Sequence, residues 1–338
     1  MKTGITSYGF YVPQYRIRVA DIAHVWGKNA SEIERALGVM EKAVATAAED
    51  SLTMAYESSS IAIKSHTQPI GALFFGTESP SYAVNPSSTI LGELLDIGHN
   101  YLAYDTQFAC KAATGALISA IALVESKQIQ SALVVASDKA TSKPHDALEY
   151  TAASGSVSLI VGEKNPILSI EAWESFSSDT PDFWRREGIK YPSHGGRFTG
   201  KPSYFKHIKG SVNALLTKTK HKPADFAYAV FHMPNGKFPV QIATQLGFSP
   251  EQIKKSLIIS ELGNSYTASA LMGLVATLEH VKPGEKILFA SYGSGAGSDA
   301  FIFQVTEEIE KKRLQFSKKI SEKKYIDYPT YLKCMRII

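Results

Sequence analysis

Two cysteines occur in the 338 residues, and one of them, Cys110, sits where a nucleophile could work. It lies in Asp105-Thr-Gln-Phe-Ala-Cys-Lys-Ala-Ala-Thr-Gly115, directly ahead of Ala112–Leu123, a run of small and apolar residues that reads as a deeply packed helix. Unpaired backbone N–H groups and the positive end of the macrodipole stabilise a thiolate there. The alternative is a small inert hydrophobe, the commoner fate of a buried cysteine. Three further features end buried strands, the positions where α/β proteins gather their chemistry. Glu78 follows Ala72-Leu-Phe-Phe-Gly-Thr77, His232 closes Ala229-Val-Phe231, and the glycine loop Ser291-Tyr-Gly-Ser-Gly-Ala-Gly297 follows an apolar strand. A carboxylate, an imidazole and a thiol together could run nucleophilic acyl transfer with acid–base assistance. Taken singly, such a Glu is usually a cap or loop charge, and such a His a structural hydrogen-bonding group.

The elements that must hold these residues alternate. Strand-like runs at Gly71–Phe75, Ser131–Ala136, Ser156–Val161, Ala227–His232 and Lys286–Ser291 are separated by helical stretches, which predicts a mostly parallel α/β architecture. The chain also repeats itself. Cys110–Glu125 aligns without a gap to Asn264–Glu279, sharing Ala116/Ala270, Leu117/Leu271, Ala122/Ala276 and Glu125/Glu279, and each stretch leads through a polar turn into a strand. A duplicated α/β unit is expected, with Cys110 and Asn264 at the N-termini of equivalent helices, facing one another across a shared pocket.

Composition narrows the function classes. With 44% hydrophobic and 20% charged residues the chain reads as an ordinary soluble globular protein. The formal charge of +4 is matched by nine basic against five acidic residues between Thr306 and Ile338, so the remainder is near neutral and carries no nucleic-acid footprint. The tail itself reads as a solvated basic helix. No run of about 18 apolar residues suggests a membrane span, and the N-terminus reads as a strand and not a signal peptide. Two cysteines make no disulfide framework, so a reducing cytoplasm is expected. Metal-binding H-x-x-x-H or C-x-x-C spacings do not occur.

Cys110 opening a buried helix, the strand-end His232, Gly263-Asn-Ser-Tyr-Thr-Ala-Ser269 and Tyr292-Gly-Ser-Gly295 resemble the thiolase superfamily. Within it, Gly76-Thr-Glu-Ser79, Tyr150-Thr-Ala-Ala-Ser-Gly155, His194-Gly-Gly-Arg-Phe-Thr-Gly200, Phe231-His-Met-Pro-Asn-Gly-Lys-Phe-Pro239 and Asp327-Tyr-Pro-Thr-Tyr-Leu-Lys333 resemble the archaeal type of the hydroxymethylglutaryl-CoA synthase family. The glycine loop lacks the second active-site cysteine of thiolases, and Glu78 has no equivalent in ketoacyl synthases.

The resemblance implies a duplicated, five-layered α/β/α/β/α fold. It divides the chain into an N-terminal half (1–165), a C-terminal half (166–306) and a basic tail (307–338). It also implies condensation of acetyl-CoA with acetoacetyl-CoA through an acetyl-cysteine, in the mevalonate route. Glu78, Cys110 and His232 would be catalytic, with Cys110 and Ser294 supplying oxyanion N–H groups and Asn264 holding the acetoacetyl carbonyl. Lys28, Asn29, Thr151, Thr199, Lys237 and Gln241 would line or border the CoA tunnel. Gln241 stands where relatives commonly carry a basic residue, and Ser193 where arginine is frequent. No cofactor is implied, the CoA thioesters being substrates. A homodimer is implied, as is association with an acetoacetyl-CoA thiolase and a zinc-ribbon/OB-fold protein, with the tail as a candidate contact surface. The competing readings are another Cys-His-Asn condensing enzyme, including one acting on carrier-bound substrates, and a non-catalytic scaffold.

Overall fold

A computed structural model describes residues 3–338. Its main sheet has nine strands: β1 (Gly4–Tyr11), β2 (Ile70–Gly76), β3 (Leu102–Thr106), β4 (Ser131–Lys139), β5 (Ser154–Gly162), β6 (Leu168–Ser177), β7 (Tyr228–Phe231), β8 (Lys286–Ala290) and β9 (Gly297–Val305). Their spatial order is β7-β8-β9-β6-β1-β5-β4-β2-β3. Two matching sets are visible. β1-β5-β4-β2 and β6-β9-β8-β7 each begin with two antiparallel pairings and end with a parallel one. The sets meet where β1 runs antiparallel to β6 at Gly4–Ser169 and Ile5–Leu168, and β3 extends the first set alone.

The expectation of a mostly parallel sheet is corrected: only β8–β7, β4–β2 and β2–β3 are parallel. Parallel neighbours need a crossover, usually helical. Helices intervene between β2 and β4 and between β7 and β8, whereas β4 reaches β5 and β8 reaches β9 through loops that reverse the chain.

The helices explain the layers. α1 (Ser51–Ile63) packs on β1, β5 and β4, with α2 (Ser87–Leu94) beside it over β2 and β3. α3 (Ala112–Glu125) lies on β4, β2 and β5, and α6 (Thr267–Leu278) touches β4 and β5 on one side and β7 and β8 on the other. α4 (Lys206–Thr219) covers β6 and β9, and α5 (Phe238–Leu246) adjoins β7. Every residue of α6 is buried, as a largely apolar helix packed between the two strand sets must be. Three apolar clusters fill the gaps between the layers: one under α1 and α2, a central one around α3 and α6, and one under α4 and α5. This is the five-layered, duplicated thiolase-like arrangement.

The tail corrects a second expectation. It is no solvated helix: Phe316, Tyr328, Tyr331 and Cys334 are buried. Phe316 packs on Phe10 with ring centroids 5.2 Å apart, and Lys324–Tyr325 pairs with Tyr15–Arg18, itself paired to Glu41–Val44. α7 (Tyr328–Cys334), capped by the Asp327 side chain on the Thr330 N–H, inserts its tyrosines beside Lys42 and Glu149. The lysines face solvent while the aromatic face is apolar enough to dock.

Candidate active site

Glu78 and Cys110 reach one another because β2 runs into the first turn of α3. A Cβ on Gly76 would stand 2.5 Å from the Ala113 nitrogen, so only glycine permits this approach. Ala109 has φ of 45°, and this turn presents Cys110 two residues ahead of the helix. The Cys110 thiol and the Glu78 carboxyl stand close enough to shift one another's proton affinity. Burial pushes Glu78 up to about 8, with the Asp138 charge adding to it and the neighbouring Cys110 thiol opposing it. Burial, then Glu78, holds the Cys110 thiol well above its ordinary value. The thiolate expected from the helix N-terminus is therefore a thiol at rest: desolvation and a neighbouring carboxylate outweigh the helix end. Glu78 Oε1 is shut from solvent without a hydrogen-bond partner.

His232, at the end of β7, is 1% exposed, and its backbone N–H donates to the Ala290 carbonyl at 3.0 Å. Its Nδ1 is buried and unpartnered, and burial lowers the ring to about 3. Burial therefore favours the neutral imidazole at pH 7. Asn264 precedes α6; its N–H donates to the Thr151 carbonyl at 2.7 Å and its Oδ1 accepts from the Tyr266 N–H at 3.0 Å. The glycine loop lies against the cysteine turn, since a Cβ on Gly293 would stand 2.6 Å from the Phe108 oxygen. Among the described residues, no backbone carbonyl accepts the Cys110 or Ser294 N–H.

Two cavities meet at this point. One, of about 240 Å³, is lined by Cys110, His232, Asn264, Thr151, Thr199 and Ser294. The other, of about 500 Å³, is lined by Glu78, and Phe183, Tyr266 and Ser294 border both. A thiol paired to a raised carboxyl, a neutral imidazole and an amide around one apolar space can form a thioester, remove an α-proton and polarise a carbonyl.

Comparisons with known proteins agree with this geometry. Residues 1–166 match the family model for the hydroxymethylglutaryl-coenzyme A synthase N terminal, and residues 216–305 match that for the 3-oxoacyl-[acyl-carrier-protein] synthase III C terminal. A hydroxymethylglutaryl-CoA synthase of Archaeoglobus fulgidus is 49% identical over 340 residues, covering 99% of each chain. The chain belongs to the hydroxymethylglutaryl-CoA synthase family. The synthase of Methanococcoides burtonii is 47% identical with 98% of each chain covered. Among solved structures, an HMG-CoA synthase complexed with CoA superposes with a TM-score of 0.91 at 25% identity, covering 99% of this chain and 90% of that one. MvaS in complex with 3-hydroxy-3-methylglutaryl coenzyme A gives 0.89 at 24%, covering 99% and 91%, a likeness of fold.

In this member of the synthase family the remaining candidate residues separate into two groups. Thr151, Thr199, Asn264 and Ser294 line the cavity that holds Cys110. Lys237 and Gln241 are exposed at the start of α5, next to Asn235 and Phe238 of the cavity wall. Lys28 and Asn29 line neither cavity. They stand on the exposed surface beyond Trp26, which stacks on His145 at 4.5 Å, and Asn29 caps the helix Ala30–Leu37 by accepting the Glu32 N–H.

Two features of this synthase escaped sequence reasoning. Asp138, at the end of β4, accepts on Oδ1 from the Glu78 N–H at 2.8 Å, Thr77 Oγ1 at 2.8 Å, and the Ser79 N–H and Oγ at 3.0 and 2.7 Å. It is a charge closing a buried strand, the same signal that marked Glu78. Lys111, beside Cys110, forms a buried ion pair with Asp299 at 3.0 Å, and Thr114 and Ser175 also donate to that carboxylate. Nothing in the spacing of 188 residues announces that pair.

Proposed function

We propose that this chain condenses acetyl-CoA with acetoacetyl-CoA and water to give 3-hydroxy-3-methylglutaryl-CoA and CoA, in the mevalonate route to isoprenoids. The observation that carries this reading is the Glu78 carboxyl beside the Cys110 thiol, at the cavity that Cys110 shares with His232 and Asn264. The Cys110 sulfur attacks the acetyl-CoA carbonyl, the thiol proton passes to the departing CoA sulfur, and acetyl-Cys110 is left. Glu78 then removes a proton from the acetyl methyl group. A carboxylate raised by desolvation is a stronger base once ionised, which suits a weakly acidic thioester. The enolate oxygen sits against the free N–H groups of Cys110 and Ser294; removing one comparable donor costs about 2.7–4 kcal/mol of barrier. The enolate carbon attacks the 3-keto carbon of acetoacetyl-CoA, held by Asn264 and by neutral His232 as a hydrogen-bond donor, and the resulting alkoxide takes the proton from Glu78, which is a carboxylate again. Water then cleaves the Cys110 thioester.

Thr151 and Thr199 flank the acyl chain, and Lys237 and Gln241 meet the CoA at the cavity mouth. Lys28 and Asn29 contact only the outer, nucleotide end of the CoA, a role their surface position supports. These steps move protons and acyl groups alone, so their chemistry calls for no redox cofactor.

The chain is divided into halves 1–165 and 166–306 with a tail 307–338, a division supported by the second strand set starting at Leu168. A homodimer forms through the open edge of β3, where Leu102 is exposed. A complex with an acetoacetyl-CoA thiolase and a zinc-ribbon/OB-fold protein, in the cytoplasm, completes the proposal. No helix among the described residues is long and apolar enough to cross a membrane.

Glu78→Ala tests the reading. It should keep acetylation of Cys110 and lose condensation; a variant that condenses normally would point to a ketoacyl-synthase-type enzyme instead.

A further inference from the structure

The condensation product is tethered at both ends. One carboxyl is a thioester to Cys110, and the other is a thioester to CoA, whose arm fills the cavity shared by His232, Thr151 and Thr199. Hydrolysis must nevertheless bring a water to the Cys110-bound carbonyl while that arm is in place. The tunnel cannot supply it.

The structure holds a second approach. The cavity of about 500 Å³ on the Glu78 side reaches the same centre behind a partition made by Phe183 and Tyr266, whose rings meet edge to face with centroids 6.1 Å apart. Its walls include Ser79, Gln107 and Arg185. Thr141 borders it and also a further surface recess of about 590 Å³, where Lys139 and Arg336 stand. Glu78 lines both spaces, and its Oε1 is buried with no hydrogen-bond partner in the protein. A carboxyl that borders a polar passage and leaves one oxygen without a partner can take up a water delivered there.

We infer that the Glu78-side cavity is the route by which the hydrolytic water enters, past Thr141, while CoA occupies the other cavity. This rests on the proposed condensation. At Glu78 the water gives up a proton as its oxygen bonds to the thioester carbon; the carbon–sulfur bond breaks, Glu78 passes that proton to the Cys110 sulfur, and the freed acid leaves with the CoA-bound product, losing its remaining proton to solvent. Glu78 thus serves both the deprotonation and the hydrolysis.

Two plugs test the route in the full-length protein: Thr141→Phe at its entry and Gln107→Trp in its wall, with Thr141→Ser as the control. Acetylation by acetyl-CoA alone should be unchanged in all three, followed by intact mass. With acetoacetyl-CoA added, each plug should accumulate the covalent HMG-CoA–enzyme adduct and release product about tenfold more slowly, while Thr141→Ser behaves as wild type. Product release at the wild-type rate in both plugs, with acetylation intact, overturns the route. So does a plug that slows acetylation as much as release. Absence of acetyl-Cys110 in the wild type would instead refute the condensation reading itself.

Discussion

Asp138 and Thr267 belong to different repeats of the chain, and the Asp138 Oδ2 accepts the Thr267 backbone N–H at 2.9 Å across the interface between them. Because Oδ1 of the same carboxylate holds the Thr77–Ser79 loop, one buried side chain fixes the base and the helix that follows Asn264 in a single frame. Preorganisation of this kind is what a reaction through an enolate demands.

Asp138→Asn should therefore damage the site without touching substrate. An amide cannot accept on both sides, so its NH2 group faces either the Thr267 N–H or the donors of the Glu78 loop. Leaving a buried donor unsatisfied costs about 1–3 kcal/mol, readable as a lower urea midpoint with an unchanged slope. The kcat for condensation should fall about tenfold with KM for acetoacetyl-CoA unaltered. A variant with normal kcat would remove Asp138 from the account.

Glu78 controls the pH behaviour. Its carboxyl is raised from 4.5 to about 8 in the folded chain, so the folded state keeps a proton that the unfolded state releases. Stability from this group is complete below pH 4.5 and is lost as pH climbs through about 8. Glu78→Gln should flatten that part of the stability curve. Condensation in the wild type should rise with pH through about 8, as the base ionises. His232, held near 3 by burial, should add no acid-side limb in the neutral range. A pH–rate profile for kcat, set beside urea unfolding of both proteins at several pH values, checks all three statements.

The tail should behave as core. Tyr331 is 1% exposed, and its hydroxyl accepts from Lys42 Nζ at 3.1 Å. Lys42 also donates to the Glu149 carbonyl, and burial lowers it to about 7. Tyr331→Ala should destabilise by about 3–5 kcal/mol, the range for large buried aromatics, and Tyr331→Phe by about 1 kcal/mol for the lost hydroxyl contact. Denaturant unfolding distinguishes the two. An unchanged midpoint for Tyr331→Ala would return the tail to the status of a solvated appendage.

What the sequence made legible follows a pattern. Glu78, Cys110 and His232 each interrupt an apolar run at the end of a buried element, and Asn264 was reached by aligning its helix with that of Cys110. Local contrast and internal repetition are visible in one dimension. Asp138 carries the same contrast after Ser131–Ser137, yet a second acidic strand end had no repeat or motif to single it out. Lys111 and Asp299 meet only because the glycine loop folds onto the cysteine turn, a contact between distant segments. Strand direction was misjudged for a related reason: alternation of strands and helices shows a crossover where a helix intervenes, but not that β5 and β9 return antiparallel through loops. In the tail, charge counting outweighed the spacing of Tyr328, Tyr331 and Cys334, which together form the buried face of α7.

Intact-protein mass spectrometry of wild type and Cys110→Ser, first with acetyl-CoA and then with acetoacetyl-CoA, tests the central claim most directly. A single acetyl adduct on the wild type that disappears when acetoacetyl-CoA is added, with 3-hydroxy-3-methylglutaryl-CoA appearing in solution and no adduct on Cys110→Ser, is the result expected. An adduct that persists in the presence of acetoacetyl-CoA, or one that forms equally on Cys110→Ser, would contradict it.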